Sequence, residues 1–166
     1  SGTTFSRVEQ SRRPTVVENQ FYRAEFDERG AIKSLRDKQL NVELVDQAAP
    51  HRFNEYLYER YETPDRKVAS KWYRVESAEI EVERGPVVDI VTVTAKPTGV
   101  KKLCQKIKFY HQLKRIDFEL DMVKSPSGRT SRTPETSALN QEAVYVALPL
   151  SLPGRRVVHQ VPGRVV

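Results

Sequence analysis

Two runs of strict alternation constrain this chain more than any other feature. In Lys106 to Tyr110, Ile107 and Phe109 alternate with Lys106, Lys108 and Tyr110. In Ile116 to Met122, Ile116, Phe118, Leu120 and Met122 alternate with Asp117, Glu119 and Asp121. A period of two puts successive side chains on opposite faces of a strand and fits no helix. Closing the pair with Gln112 and Leu113 as a two-residue loop sets Lys108 opposite Asp117 and Lys106 opposite Glu119. It also sets Ile107 opposite Phe118 on the core face. Cross-strand pairs of opposite charge contribute about 0.2–1 kcal/mol each. A one-residue slip would set apolar side chains against charged ones, so this register is favoured. The expectation is an antiparallel hairpin with its lysine-acid face in water.

The same period recurs along most of the chain. Thr15 to Asp27 reads as a strand, Asp27 to Gly30 as a turn, Ala31 to Asp37 as a second strand and Val42 to Val45 as a short third. This opening is a β-meander. Ala48 to Lys71 is less regular and fits either a short helix or a long excursion between strands. Trp72 to Arg84 and Val87 to Lys96 resume the alternation, separated by Gly85-Pro86. Ala143 to Leu150 is a last apolar strand, with one more expected over Arg155 to Val161. Residues 1–14 read as a flexible arm, and the polar stretch 124–141 as a mobile loop. Strands with turn punctuation and no alternating helices predict an all-β, antiparallel β-sandwich forming a single domain over 1–166.

Composition narrows the function classes. With 38% hydrophobic and 30% charged residues the chain is of globular type. No apolar run approaches the roughly 18 residues of a spanning helix, and Ser1 to Ser11 lacks the apolar stretch of a signal peptide. The net charge of +6 would attract anions, but basic residues are scattered without interleaved aromatics, which argues against nucleic acid. Cys104 is the only cysteine, so no internal disulfide forms, and it reads as a small strand side chain. There is no P-loop, GxGxxG or GxSxG motif. His51, His111 and His159 lie far apart without metal-ligand spacing. Asp117, Glu119 and Asp121 look like a solvated strand face and not like the converging carboxylates of glycoside hydrolysis.

One segment, Phe53 to Glu59, offers aromatic faces together with fixed amide and carboxylate groups, the combination that holds a sugar. The packing alternative puts Phe53, Tyr56 and Tyr58 in the core and Asn54 at the cap of a short helix. Trp72, just beyond, carries the same two readings.

Val17 to Asp27, followed by Gly30 to Lys38, resembles the start of the β-sandwich region of family-38 glycoside hydrolases, the α-mannosidase type. Glu43 to Asp46, Phe53 to Tyr58, Lys114 to Phe118 and Glu142 to Pro149 continue the resemblance in order. The resemblance implies a galactose-mutarotase-like supersandwich packed beside a separate catalytic domain. In that family the zinc ion and the aspartate nucleophile belong to the preceding α/β domain, so no catalytic residue, metal ligand or cofactor is carried over to this chain. The expected partners are the catalytic domain of the same parent protein and carbohydrate, with Asn54, Tyr56 and Trp72 as candidate contacts. The family's sandwich continues past the segment resembling Val161 to Gly163. A partial sandwich, with edge strands prone to self-association, is therefore expected here. The alternatives are a free-standing carbohydrate-binding module and, from its charge, an anion or nucleic-acid binder.

Overall fold

A computed structural model describes residues 15–61, 70–125, 142–151, 154, 160–161 and 164–165. The arm expected over 1–14 and nearly all of the loop expected over 124–141 lie outside these residues, as do 155–159 of the last expected strand. The described residues contain thirteen strands and no helix.

Three antiparallel sheets build the body. The first is a meander of β1 (Thr15–Glu18), β2 (Tyr22–Phe26), β3 (Ile32–Asp37) and β4 (Val42–Glu43). A second runs in the order β10-β9-β8-β7, from β7 (Glu79–Arg84), β8 (Val88–Ala95), β9 (Val100–Tyr110) and β10 (Ile116–Lys124). The third has the order β11-β5-β6, from β5 (Glu55–Tyr61), β6 (Ser70–Arg74) and β11 (Glu142–Ala147). Beyond them, β12 (Gln160–Val161) and β13 (Arg164–Val165) pair with each other.

The long second sheet forms one layer, and the other two sheets lie side by side over its inner face. Val17, Ala24, Phe26, Ile32 and Leu35 of the meander meet Val82, Val91, Val93, Ile107 and Phe109 in one buried cluster. Tyr56 and Tyr58 of the third sheet meet Ala95, Val100 and Leu103 in another. Ile32 pairs with Phe53, joining the two smaller sheets into one covering layer. Burial of each such side chain contributes about 1.5–3 kcal/mol. The inward positions follow the period of two along β8, with Asp89, Val91, Val93 and Ala95 all buried. The result is a β-sandwich.

The expected hairpin register is the observed one: Asp117 faces Lys108, Phe118 faces Ile107 and Glu119 faces Lys106. The loop is wider than two residues, with β9 ending at Tyr110 and β10 starting at Ile116. Ile107 is buried, but Phe118 is 40% exposed, because the covering layer stops short of β10.

Three other expectations are revised. Thr15 to Asp27 is two strands, because the Asn19 side-chain oxygen accepts from the N–H groups of Phe21 and Tyr22 and turns the chain back on itself. Trp72 to Arg84 is also two strands, in different sheets, separated at Val75 to Ala78, where the Ala78 N–H donates to the Glu28 carbonyl. The irregular stretch contains β5, and Asn54 sits before it at φ 60° instead of capping a helix. Asparagine is among the few residues that tolerate this left-handed backbone.

Asp37 ties the two layers together. Buried at the end of β3, it accepts from the backbone of Gln39 and Leu40, each at 3.0 Å, and pairs with Lys114 of the β9–β10 loop at 2.7 Å. Burial alone would raise its carboxyl, but Lys114 and the two N–H groups outweigh it and hold the group below its ordinary value. A depressed value means the clamp stabilises the fold above the ordinary carboxylate range and weakens as pH falls through the folded value. Asp37→Asn should therefore cost about 1–3 kcal/mol at pH 7. In urea melts the gap to the parent should narrow below about pH 4. A gap unchanged from pH 7 to pH 2 contradicts this reading.

Candidate functional site

The outer face of the third sheet carries the candidate site. β5 runs between β6 and β11, and its residues alternate: Tyr56 and Tyr58 point into the core, while Glu55, Leu57 and Glu59 point away from it. Register places Trp72 of β6 beside Glu59 and Tyr145 of β11 beside Leu57 on this outer face. The two rings meet across the central strand, with centroids 5.5 Å apart and planes at 29°. His51 lies 6.4 Å from Trp72, extending the row. Trp72 is 47% and Tyr145 45% exposed, so the rings form an apolar ledge open to water. They shelter Glu55, Leu57 and Glu59, which are all buried although they lie on the outside of the sheet.

Polar groups border this ledge. The Tyr145 hydroxyl donates to Glu59 Oε2 at 3.1 Å. Glu55 Oε2 accepts from the Arg52 N–H at 2.7 Å. Glu55 Oε1 lies 3.5 Å from Arg74 Nε, a charge contact without hydrogen-bond geometry, so this buried oxygen has no donor of its own. Arg74 also reaches His51 Nδ1 at 3.1 Å. Its side chain borders a cavity of about 300 Å³ lined by Val75, Glu76, Ser77, Lys96, Pro97 and Thr98 as well. Two exposed rings, a guanidinium and an undersatisfied carboxylate oxygen together offer an apolar face plus directional polar groups.

The structure does not bring the three sequence candidates into one cleft. Trp72 is on the ledge. Tyr56 is in the core on the other side of the same sheet, its hydroxyl 3.5 Å from the Thr98 carbonyl and its phenol raised by burial and by Glu142. Asn54 is buried; its N–H donates to the Ala147 carbonyl at 2.7 Å and its carbonyl accepts from Gln105 Nε2 at 3.1 Å. Its side-chain Nδ2 is a buried donor without a partner. Tyr145, His51 and Arg74 are the ledge residues that sequence reading missed. The only signal for Tyr145 was a large ring on a strand face of otherwise small residues.

A second polar cluster closes the far end of the long sheet. Buried Asp89 accepts from Arg84 at 2.7 Å and faces His111 Nε2 at 3.1 Å, beside an open groove that Glu18, Asn19 and Gln20 also line. Arg84 and Asp89 are matched to one another, and the groove is lined by no Phe, Tyr or Trp ring, His111 being its one ring among the described residues. Among the described residues, no three His, Cys, Asp or Glu side chains converge as metal ligands.

The profile described as the glycosyl hydrolases family 38 C-terminal domain matches residues 17–166. Neither a curated protein nor a solved structure matches the chain.

Proposed function

This chain belongs to the C-terminal domain family of the family 38 glycosyl hydrolases, and on that premise we propose that it is a non-catalytic domain that holds carbohydrate on the Trp72–Tyr145 ledge. In this reading it supports the catalytic domain of an α-mannosidase-like parent and presents sugar chains to it. The observation that carries the sugar contact is the pair of half-exposed rings meeting over Leu57, bordered by Arg74 and Glu55. Sugars present C–H faces that pack on aromatic rings and hydroxyls that need fixed donors and acceptors, and the ledge supplies both. Exposed apolar patches of this kind in soluble domains commonly mark binding surfaces.

Trp72 is the sole tryptophan, so its fluorescence reports on the ledge alone. Titration with mannose oligosaccharides should change the emission saturably. Tyr145→Ala should weaken that response about tenfold, equal to about 1.4 kcal/mol. A flat response across mannose, glucose and galactose oligosaccharides removes the sugar contact. The purified chain should not turn over an aryl α-mannoside. Turnover that persists in chelator contradicts the non-catalytic assignment.

A further inference from the structure

β10 ends the long sheet and carries two unlike rows of side chains. Asp117, Glu119 and Asp121 lie on the outer face. Phe118, Leu120 and Met122 lie on the face turned toward the covering layer, yet they are 40%, 43% and 41% exposed. Their neighbours across the register on β9, Ile107, Gln105 and Leu103, are all buried. Among the described residues the covering layer thus ends over β9, and the apolar row of β10 is open.

The backbone is in phase with this row. His111 donates its N–H to the Val87 carbonyl on the β8 side, while Tyr110 donates its own to the Arg115 carbonyl on the β10 side. Antiparallel bonding alternates, so Asp117, Glu119 and Asp121 bond back to β9. The N–H and C=O groups of Phe118, Leu120 and Met122 therefore point away from the sheet. Among the described residues no strand pairs with this outer edge. An arriving strand would meet free ladder positions and an apolar row on the same residues.

The acidic row selects what can arrive. Within the chain, Lys108 of β9 forms an ion pair with Glu119. Asp117 pairs with Arg115 at 2.6 Å and accepts from the Tyr110 hydroxyl at 2.9 Å. Among the described residues this leaves Asp121 as the unmatched acid of the row. A second β10 laid antiparallel about Leu120 would set Glu119 of each copy against Asp121 of the other, and like charges directly opposite are destabilising. A cationic row is favoured for the same reason. We propose that the outer edge of β10 receives an extended segment of a partner polypeptide in which apolar and cationic residues alternate.

The test uses the full chain and a labelled synthetic peptide copying Lys102–Tyr110 with Cys104→Ser, a sequence β10 already pairs with from its inner side. A control peptide carries glutamate in place of each lysine. The lysine peptide should bind at least about tenfold tighter by fluorescence anisotropy, although the chain's net charge of +6 favours the control. Amide resonances of Phe118, Leu120 and Met122 should shift. Leu120→Pro removes only an outward N–H, as proline on an edge strand can, and Leu120→Lys leaves the backbone intact. Both should weaken binding about tenfold or more while the parent melting temperature is nearly kept. Absent binding, equal affinity for the two peptides, or binding indifferent to both variants overturns the proposal. A dimer in sedimentation that Leu120→Lys abolishes also overturns it, because the edge would then belong to a second copy.

Discussion

Phe109→Ala is expected to lower the free energy of unfolding by about 3–5 kcal/mol. Phe109 lies fully buried on β9, and its ring meets Phe26 of the facing layer edge to face, 6.5 Å between centroids at 81°. Truncation removes the transfer energy of the ring and leaves a cavity between two sheets that cannot easily close. Domains of this size are commonly stable by only 5–15 kcal/mol, so the loss is a large share. Phe118→Ala on the partner strand is the contrast, because that side chain shares the inner face but is 40% exposed and meets the ring of Phe53 at the rim. It should cost about 1 kcal/mol. Urea denaturation of the two variants against the parent measures both, and equal losses would mean that β10 is covered after all.

The second large effect is at Gly30. This residue closes the β2–β3 turn at φ +80°, and a Cβ there would stand 2.1 Å from Val93 Cγ1 of β8. Gly30→Ala therefore adds left-handed backbone strain, about 1–2 kcal/mol, to overpacking between the layers, about 1–3 kcal/mol. A loss of about 2–5 kcal/mol is expected, with Val93 pushed back from its site. Gly154 has a similar φ of +70°, with no atom of the described residues within 4 Å of an added Cβ. Gly154→Ala should show the strain alone, and equal losses at the two positions would contradict the close approach at Gly30.

These contrasts mark where sequence reading succeeded and where it stopped. The β9–β10 register was legible because its lysines and acids are out of phase with its apolar residues, leaving one low-energy pairing. Whether Phe118 is covered was not legible, since coverage depends on how far a sheet built from distant segments extends. At Asn19 the alternation continues through a reversal, so a period of two cannot see that the chain turns. The Asn19 side-chain oxygen was the available sign, because asparagine supports such turns by accepting from nearby N–H groups. At Val75 to Ala78 the same pattern runs across a change of sheet, for which no local rule exists. For the ledge, the residues left Trp72 with two readings, sugar contact or core packing, because a single ring on a strand does not say which face is covered. Its partner Tyr145 was not legible, because β11 returns to β5 from the other end of the chain. Asn54 was read for its side chain when its conformation mattered more, a left-handed residue at the entry to β5.

Residue-resolved chemical-shift mapping of the full chain with a mannose oligosaccharide tests most directly whether the outer face of the third sheet holds sugar. Saturable shifts confined to His51, Leu57, Trp72, Arg74 and Tyr145, with the groove at Asp89 and His111 silent, are the predicted result. Shifts centred on that groove, or none on the ledge at millimolar sugar, would contradict it.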